Sequence, residues 1–567
     1  MNAASMRKYA PLACFLAAIV LFYFASRPAY RGYFSEDDLA TLSWAPIAGA
    51  DSYYGEILNP KSNDLNFRPF AALYYSFLGR TAKLRYVPYV VVLQLLHVLN
   101  VVLLIFLLRE FGFSWIAAGA GVLFYAFNAA TMEAYWKPMF VFDLLCGTLC
   151  LAALLLYVRG RWLLALIPFW LAFKSKEIAV MLPVALLAYE LLLGQRKWKR
   201  LLPFFFVSLS FGLQALWHNN SIPAQNTYAL RFTPEAALTA IRFYSYSILG
   251  LQDLWVGILL LPFLIRDRRL WVGIALTVAM FVPLLFLSNR MLNVYWYVPL
   301  IGLAIAAAAM ASRIPRWVVA AFFAVWLPFY FFMLRDKRRD ILDEGNTTRT
   351  LVASLQEYKS KIPPVRAVVF DNLPRHLTPW GVSGAISVVF GHAVEPAYIR
   401  DPDAKEAFAK VPMALISFNP PPRGIDGLIR THDGPQPYIR FSGKVVETQL
   451  KDGCYDAGYP VRWFAPRAEA ALYRPPEATQ FEIVAFLPPG SLAKEGPAEV
   501  TVFEDGQSLG TVKLSAAKSE PMRWKLSPGS PGDKSIMVVS KPVRHGGPED
   551  NRDLGIAVQS LGYLPAP

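Results

Sequence analysis

The chain has 567 residues, of which 55% are hydrophobic, and a formal net charge of +15. So high a hydrophobic content excludes an ordinary soluble protein of this length. The hydrophobic residues are concentrated before residue 335, and the basic residues of that part fall in short loops between hydrophobic segments. This distribution is typical of membrane topology and of contact with anionic membrane lipids, and it argues against nucleic-acid binding.

The first hydrophobic segment, roughly 9–26, is long enough to cross a bilayer and follows Arg7 and Lys8. By the positive-inside rule the N-terminus is then cytoplasmic, and residues 27–85 form an outer loop. That loop contains Glu36, Asp37 and Asp38 in succession. Three adjacent carboxylates there indicate either a solvated acidic loop or chemistry on a lipid-borne substrate.

Further hydrophobic segments bring the predicted number of transmembrane helices to about eleven. They lie at approximately 86–108, 115–132, 138–158, 162–174, 177–193, 201–217, 252–265, 270–288, 297–312 and 317–334. A segment at 236–250 is either an extra span or an interfacial helix. Every loop predicted to be inside carries Arg or Lys, and the basic run 335–339 alone disagrees. The alternation predicts an inner (cytoplasmic) membrane protein whose C-terminal region is extracytoplasmic.

Polar and ionisable residues are concentrated toward the predicted outer side of these segments. Such residues are costly in a membrane and usually face a cavity or a partner. They are His97, Asn100, Glu133, Lys137, Asp143, Lys176, Glu177, Arg290 and Tyr297, with Arg68 in the first outer loop. Each of these residues could instead only stabilise the structure; His97, for example, could form a hydrogen bond to a neighbouring carbonyl. Together they predict an outward-facing cavity for an anionic lipid phosphate and a hydroxyl-bearing acceptor.

The order of these residues is similar to that of polytopic GT-C glycosyltransferases, and it resembles most the bacterial relatives of the tetratricopeptide-bearing O-mannosyltransferases. The resemblance covers about residues 30–300. Its motifs are the acidic pair, Phe67-Arg68-Pro69-Phe70, His97-x-x-Asn100, Glu133-Ala134, Asp143-Leu144-Leu145, Lys176-Glu177, Arg290 and Tyr297-x-Pro299. The chain departs from that family at Leu104, where a second His is frequent, at Asn128-Ala129, where His-Pro is frequent, and in lacking a tetratricopeptide repeat.

The resemblance implies transfer of a sugar from a polyprenyl-phosphate-linked donor to an acceptor hydroxyl on the outer face, generally with inversion. It implies that an acidic residue of the first outer loop serves the acceptor, which makes Asp37 the general base and Asp38 its neighbour. The remaining motif residues are then expected to bind substrate. The acceptor is a glycan, a lipid or a protein.

The residue types suit this chemistry independently of the resemblance. A carboxylate can accept the proton of an attacking hydroxyl, and Arg68, Lys176 or Arg290 could neutralise the departing phosphate. The crowded carboxylates could instead bind a divalent cation, and no cofactor follows with certainty. The alternative function is a transporter or flippase of lipid-linked glycans. Such proteins usually show internal repeats with broken helices, and the sequence shows no such repetition.

The residues that follow the membrane part are predicted to form two further regions. Residues 335–450 are expected to form a polar linker helix and a small α/β subdomain. Residues 451–567 contain short alternating segments with an Asp505-Gly506 turn, which predict a β-sandwich. The expected architecture is therefore an all-α polytopic membrane domain over 1–334, followed by an extracytoplasmic α/β plus β-sandwich region.

Overall fold

The computed structural model describes residues 3–61, 68–219, 227–249, 265–373, 377–399, 412–418, 425–430, 435–441, 449–456, 461–545 and 552–565, with isolated positions at 263, 401 and 407. The chain forms two units, Met1–Arg349 and Thr350–Pro567. The described part of the first unit contains helices and no strands, whereas that of the second consists mainly of strands.

Helices of the first unit follow the hydrophobic segments of the sequence, with additional helices in the loop that is predicted to lie outside. In chain order they are α1 (Ala3–Ser26), α2 (Glu36–Trp44), α3 (Ala50–Leu58), α4 (Pro69–Thr81), α5 (Tyr86–Glu110), α6 (Trp115–Ala126), α7 (Val141–Val158), α8 (Trp162–Phe173), α9 (Leu182–Leu192), α10 (Leu202–Asn219), α11 (Pro234–Leu249), α12 (Arg268–Leu285), α13 (Leu300–Ala311) and α14 (Arg316–Lys361). Short 3-10 helices lie between several of them.

The length and apolarity of these helices indicate a multi-pass membrane protein. Within the described residues, six helical segments are long and apolar enough to cross a membrane, or seven if the bent pair Trp115–Ala126 and Ala129–Tyr135 counts as one span. The six are Leu12–Arg31, Tyr86–Glu110, Pro138–Val158, Trp198–His218, Arg268–Leu285 and Arg316–Lys361. The larger count of about eleven therefore stays a prediction, and its segment at 252–265 lies almost entirely outside the described residues.

Glycines allow three helices of the bundle to pack closely. A Cβ atom on Gly273 of α12 would lie 2.6 Å from the carbonyl oxygen of Gly302 in α13, and one on Gly121 of α6 would collide with that of Ala304. Small residues at helix contacts are the usual means of close packing in membranes, because lipid provides no hydrophobic driving force between helices. The short helix α13 is thereby buried between α6 and α12.

Helix α14 continues through the predicted last span and the predicted linker without a break. It has 46 residues and contains the basic run 335–339 in its interior. At 1.5 Å per residue its length is roughly 70 Å, about twice the thickness of a hydrocarbon core.

The second unit begins with a four-stranded sheet of order β2-β1-β3-β4. Strand β1 (Ala367–Asp371) pairs in parallel with β2 (Glu395–Tyr398) and β3 (Met413–Phe418), and β4 (Ile425–Arg430) is antiparallel to β3. Helix α15 (Pro379–Phe390) connects β1 to β2, which makes a βαβ crossover. The burial of all five β1 residues fits its central position.

The remaining strands form one continuous antiparallel sheet of order β10-β9-β12-β7-β15-β8-β11, with β5 on β15 and β6 on β7. They are β5 (Tyr438–Arg440), β6 (Leu450–Asp456), β7 (Arg462–Arg474), β8 (Ala478–Phe486), β9 (Ala498–Glu504), β10 (Gln507–Leu514), β11 (Glu520–Lys525), β12 (Gly532–Lys541) and β15 (Ala557–Pro565); a small pair, β13 (Arg544–His545) and β14 (Asp553–Leu554), lies apart. Helix α16 (Pro489–Glu495) precedes β9.

This sheet curls so that its two edge strands approach each other. The indole Nε1 of Trp524 on β11 donates to the carbonyl of Gly510 on β10 at 3.0 Å. The two faces expected of a sandwich are thus joined by hydrogen bonds into one sheet, because the long strands β7 and β15 pair with strands of both halves. Asp505 and Gly506, both at positive φ (47° and 82°), make the tight turn between β9 and β10.

Candidate functional site in the first unit

Helix α2 begins in the acidic loop, and its first turn contains all three carboxylates. Ser35 is its N-cap: the hydroxyl accepts from the Asp38 backbone N–H, and the Asp38 carboxylate accepts from the Ser35 backbone N–H at 2.7 Å. This reciprocal capping box satisfies two donors that a helix N-terminus otherwise leaves unpaired. The sequence Ser35-Glu36-Asp37-Asp38 therefore fixes where the helix starts and which way each carboxylate points.

Asp38 is fully buried, and protein donors occupy its carboxylate. Its Oδ2 accepts from the Ser35 hydroxyl at 2.8 Å as well as from the Ser35 N–H, and its Oδ1 accepts from the Tyr75 hydroxyl at 2.6 Å. Burial raises the pKa of Asp38 to about 6, against the lowering effect of the bonds from Tyr75 and Ser35. The side chain thus holds α2 against α4 and leaves little room for a substrate.

Asp37 is only partly buried, because it lies about 100° around the helix from its neighbour. Burial raises its pKa, whereas Arg290, Lys137 and Arg68 oppose that rise and Glu344 adds to it. A carboxylate that is partly exposed, partly desolvated and stabilised by the charges of cations has properties that suit a general base. The two adjacent aspartates are therefore in different environments.

Arg68 and Glu177 form a two-point ion pair beside this carboxylate. The Arg68 Nε lies 3.0 Å from Glu177 Oε1, and its Nη2 lies 3.0 Å from Oε2. The guanidinium also lies 5.5 Å from the centre of the Phe142 ring. The planar fork of Arg matches a carboxylate in this way, which fixes the orientation of both side chains.

Lys176, Asp143 and Arg290 are linked through Tyr295. The Lys176 ammonium lies 2.5 Å from Asp143 Oδ1 and 4.3 Å from the centre of the Tyr295 ring. The hydroxyl of Tyr295 accepts from Arg290 Nε at 3.2 Å, and the Arg290 guanidinium lies 4.7 Å from the centre of the Tyr228 ring. Tyr295 thus links Lys176 to Arg290, and Tyr228 and Tyr295 are also electrostatic neighbours of Arg68. Of the three cations, Arg68 and Arg290 act on the charge of Asp37.

The three cations differ in how they are neutralised. Arg68 and Lys176 each have a carboxylate within 4.0 Å. In the part of the chain that the structure describes, Arg290 forms no such salt bridge, although its electrostatic neighbours include Asp37. Arg290 is therefore the cation with most capacity for an added anion.

His97, Asn100 and Tyr297 form a separate buried network within the bundle. His97 Nδ1 lies 2.8 Å from the Tyr297 hydroxyl, and its Nε2 lies 3.2 Å from the carbonyl oxygen of Ala126. The Asn100 amide donates to the Tyr297 hydroxyl at 2.9 Å and to the Leu144 carbonyl at 3.2 Å. These bonds join α5 to α6, to α7 and to the turn before α13, and they give His97 and Asn100 a packing role.

Glu133 binds α14 through Lys337, at 2.9 Å between Oε1 and Nζ. Nearby, Lys137 pairs with Glu344 at 2.8 Å. These contacts place the beginning of the polar half of α14 on the same face of the first unit as Asp37. They also explain how part of the basic run 335–339 is neutralised, since Glu133 compensates Lys337.

The last part of α14 that belongs to the first unit binds the chain shortly before α2. The Arg349 guanidinium donates to the carbonyl oxygens of Arg31 and Gly32 at 2.8 and 2.7 Å, and it lies 5.3 Å from the centre of the Tyr33 ring. Gly345 lies against the same segment, where a Cβ atom would be 2.8 Å from the Tyr33 nitrogen. This contact, the α14 clasp, fixes the segment that precedes α2.

A methyl group at Gly345 is expected to disturb the α14 clasp. Alanine should favour a helix over glycine by about 1 kcal/mol, so any loss must come from the collision with Tyr33. We expect Gly345→Ala to lower the melting temperature by a few degrees in a thermal unfolding assay. The matched control is Gly55→Ala in α3, where a Cβ would meet nothing within 4 Å. Equal melting temperatures for both variants would contradict the clasp.

Basic loops predicted to be cytoplasmic meet at another face of the bundle. Arg159 pairs with Glu110 at 2.7 Å, and Asp267 accepts from both Arg269 and Arg313. The ends of α5, α7, α12 and α13 are thus linked there in pairs. None of these residues contacts the cluster around Asp37 in the described structure, and this separation agrees with the alternation of loops in the sequence.

Within the described residues, no group of three or more His, Cys, Asp or Glu side chains could hold a metal ion. The Asp38 carboxylate already has three protein donors. A divalent cation at the acidic loop would therefore have Glu36 and Asp37 as its nearest candidates, and the metal stays an open prediction.

Several residues around Asp37 carry no signal in the sequence. Glu344 lies 207 residues from its partner Lys137, and Tyr75 lies 37 residues from Asp38. Tyr228, beside Arg290, lies in a loop without a motif. Only the fold brings them together, and nothing in their local sequence marks them.

No family model matches the sequence, and a search of curated proteins finds no match. Among solved structures the chain is similar to the arabinofuranosyltransferase AftD from Mycobacteria, at 13% identity and a TM-score of 0.46, over 99% of this chain and 59% of that chain. It is similar to the oligosaccharyltransferase of Archaeoglobus fulgidus, at 11% identity and a TM-score of 0.42, over 96% and 98%. It is also similar to the arabinosyltransferase EmbB of Mycobacterium smegmatis, at 14% identity and a TM-score of 0.33, over 97% and 64%.

The chain thus spans less than two thirds of the length of AftD and EmbB. All three proteins are named as transferases of arabinosyl or oligosaccharyl groups, and none of the three is an O-mannosyltransferase. The TM-scores of these three similarities are all below 0.5.

Proposed function

We propose that this chain is a membrane glycosyltransferase of the GT-C type, which transfers a sugar from a polyprenyl-phosphate-linked donor to an acceptor hydroxyl. The observation that carries the proposal is Asp37, a partly buried carboxylate on which the charges of Arg290, Lys137 and Arg68 act. A base next to cations is the pairing that a hydroxyl nucleophile and a phosphate leaving group require. The acceptor is a glycan, a lipid or a protein.

The reaction follows from this pairing. Asp37 takes the proton of the acceptor hydroxyl as the oxygen bonds to the anomeric carbon, and the bond from that carbon to the phosphate oxygen breaks on the opposite side. The sugar is transferred with inversion, and the polyprenyl phosphate leaves with an added negative charge. Arg290 is the cation proposed to bind the leaving phosphate, and Arg68 and Lys176 are proposed to orient that phosphate.

The proposed roles of the other residues follow from their contacts. Glu177 and Asp143 hold Arg68 and Lys176 in place, and Asp38 sets the direction of Asp37. Glu133, through Lys337, supports the α14 clasp. His97, Asn100 and Tyr297 keep α5, α6 and α7 together beneath the site.

The proposed orientation places Asp37 and the beginning of the C-terminal unit on the extracytoplasmic side of the inner membrane, with the N-terminus in the cytoplasm. It is supported by the two separate faces of the bundle, one with the basic loops and one with Asp37. A cytoplasmic reporter fused after residue 361, the end of α14, should be inactive. Activity of that fusion would show that the orientation is the opposite of the one proposed.

The direct test is to incubate the purified protein in detergent or nanodiscs with a panel of polyprenyl-phosphate sugars. Release of polyprenyl phosphate, followed by mass spectrometry, is the expected result for one donor. The rival function, a transporter or flippase, would move the lipid-linked glycan between leaflets of a proteoliposome without breaking the bond between sugar and phosphate.

Replacing Arg290 is expected to weaken donor binding. A hydrogen bond from a charged Arg to a phosphate contributes substantially to the binding free energy. Arg290→Ala should therefore raise the KM for the donor roughly 10-fold or more. The matched control is Arg313→Ala, which removes an arginine from the basic-loop face, where Arg269 still pairs with Asp267. An unchanged KM in Arg290→Ala, with turnover intact, would remove Arg290 from the donor site.

A further inference from the structure

A narrow apolar groove lies between α1, α14 and the corner that follows α6. Its enclosed space is small, about 10 Å³, which is about enough for one water molecule. Phe22, Phe127, Phe331 and Leu334 are among the residues of its walls, and Arg338 and Trp136 also line it. None of the residues that surround Asp37 lines this groove, so it is a separate feature of the first unit.

Arg338 differs from its two neighbours on α14. Lys337 pairs with Glu133, and Arg339 is exposed and pairs with Asp343 one turn away. Arg338 is half-buried between two rings, with its guanidinium 5.8 Å from the centre of Trp136 and 5.7 Å from that of Phe331. Its Nε is buried without a hydrogen-bond partner, and no carboxylate pairs with it among the described residues.

A guanidinium in this position lacks an anion. Partial burial of a charge is costly unless a partner compensates it, and the two aromatic rings compensate only part of the cost. The groove offers one uncompensated positive charge next to the exposed apolar surfaces of α1 and α14. Its complement is a ligand with one anionic group attached to a hydrocarbon chain.

The position of the groove identifies the source of that ligand. It lies between the transmembrane segments of α1 and α14, whose outer faces carry exposed Val20, Phe24, Phe329 and Phe332. In a membrane those faces contact lipid chains. Arg338 follows the last apolar residues of the α14 span, which is where lipid head groups begin.

We infer that this groove binds an anionic phospholipid of the surrounding bilayer. Its phosphate lies on Arg338, and its acyl chains lie along the exposed apolar residues of α1 and α14. The inference is independent of the proposed reaction, because the site shares no residue with the cluster around Asp37. It adds a lipid-dependent contact between α1 and α14, two helices that otherwise face lipid over most of their span.

The test measures lipids that remain bound after purification from nanodiscs of phosphatidylglycerol and phosphatidylcholine in equal amounts. The wild-type protein and the control variant Arg339→Gln should both retain phosphatidylglycerol in preference to phosphatidylcholine. The Arg338→Gln variant loses one positive charge, as the control does, but at the neighbouring residue. It should retain roughly 10-fold less phosphatidylglycerol than the wild-type protein. Quantitative mass spectrometry of the extracted lipids provides the measurement.

Equal retention by Arg338→Gln and the wild-type protein would overturn the inference, and so would retention without preference for the anionic lipid. Displacement by added polyprenyl phosphate, while binding still depends on Arg338, would assign the groove to a different lipid and overturn it too. If Arg338→Gln does not fold, the wild-type protein decides, because equal retention of phosphatidylglycerol and phosphatidylcholine would contradict the inference.

Discussion

Replacing Asp37 with Asn is expected to reduce sugar transfer by ~10²-fold or more while the fold stays intact. Asparagine keeps the shape of the side chain and removes its basicity. The position is in the first turn of α2 and only partly buried, so the loss of charge there should cost no more than about 1 kcal/mol of stability. The measurement is turnover of the active donor, with the melting temperature recorded alongside.

Glu36→Gln is the matched control for this substitution, because it removes a carboxylate from the same helical turn. It should retain most of the activity. Asp37 with a raised pKa must lose its proton to act as a base, so the wild-type rate should fall as the pH drops through that raised pKa. An Asp37→Asn variant that turns over donor near the wild-type rate would refute the mechanism.

Replacing Asp38 with Ala is expected to destabilise the protein by ~3 kcal/mol or more, the second large effect. It would leave the Tyr75 hydroxyl, the Ser35 N–H and the Ser35 hydroxyl without their acceptor in a fully buried position. Asp38→Asn should be mild in comparison. Its amide oxygen can accept from Ser35, and the hydroxyl of Tyr75 can rotate to accept from its NH₂ group. The melting temperatures of the two variants measure the difference.

Stability at different pH values provides an independent check on Asp38. Its pKa in the folded protein is about 6, above the ordinary value of 3.8. Between these values the folded state holds the proton more firmly than the unfolded state, so this residue's contribution to stability falls as the pH rises through that window. Asp38→Asn should remove that slope. A well-folded Asp38→Asn variant without activity would instead show that the two aspartates have the reverse roles.

The sequence was informative where a feature is local. The capping box of Ser35 and Asp38 is readable from residues three apart, and hydrophobic runs locate α1, α5, α7, α10 and α12. Apolarity alone does not reveal that α6 ends at Ala126 and that the chain then bends by 68°. Nor does it show that α14 continues past the basic run, since that depends on compensation of Lys337 by Glu133, 204 residues away in the chain.

The candidate site shows the same limit. Asp143, Lys176, Glu177 and Arg290 stand out in the sequence because ionisable residues at membrane depth are costly, and Arg68 stands out through the motif Phe67-Arg68-Pro69-Phe70. The pairing of these residues is not visible in the sequence, because Arg68 binds a carboxylate 109 residues further on. The separation of Asp37 from Asp38 into an accessible and a buried carboxylate follows from the helix start and from Tyr75 of another helix, which only the tertiary structure supplies.

The direction of the hydrogen bonds at Tyr297 bears on the rival transporter hypothesis. The Ala126 carbonyl can only accept, so His97 Nε2 carries a proton, and His97 Nδ1 then accepts from the Tyr297 hydroxyl. Asn100 donates to that hydroxyl and to the Leu144 carbonyl. The series of donors therefore ends at two main-chain carbonyls, which cannot take up a proton and pass it on. These buried residues hold helices together but are unsuited to carrying protons through the membrane, as a proton-driven carrier would require.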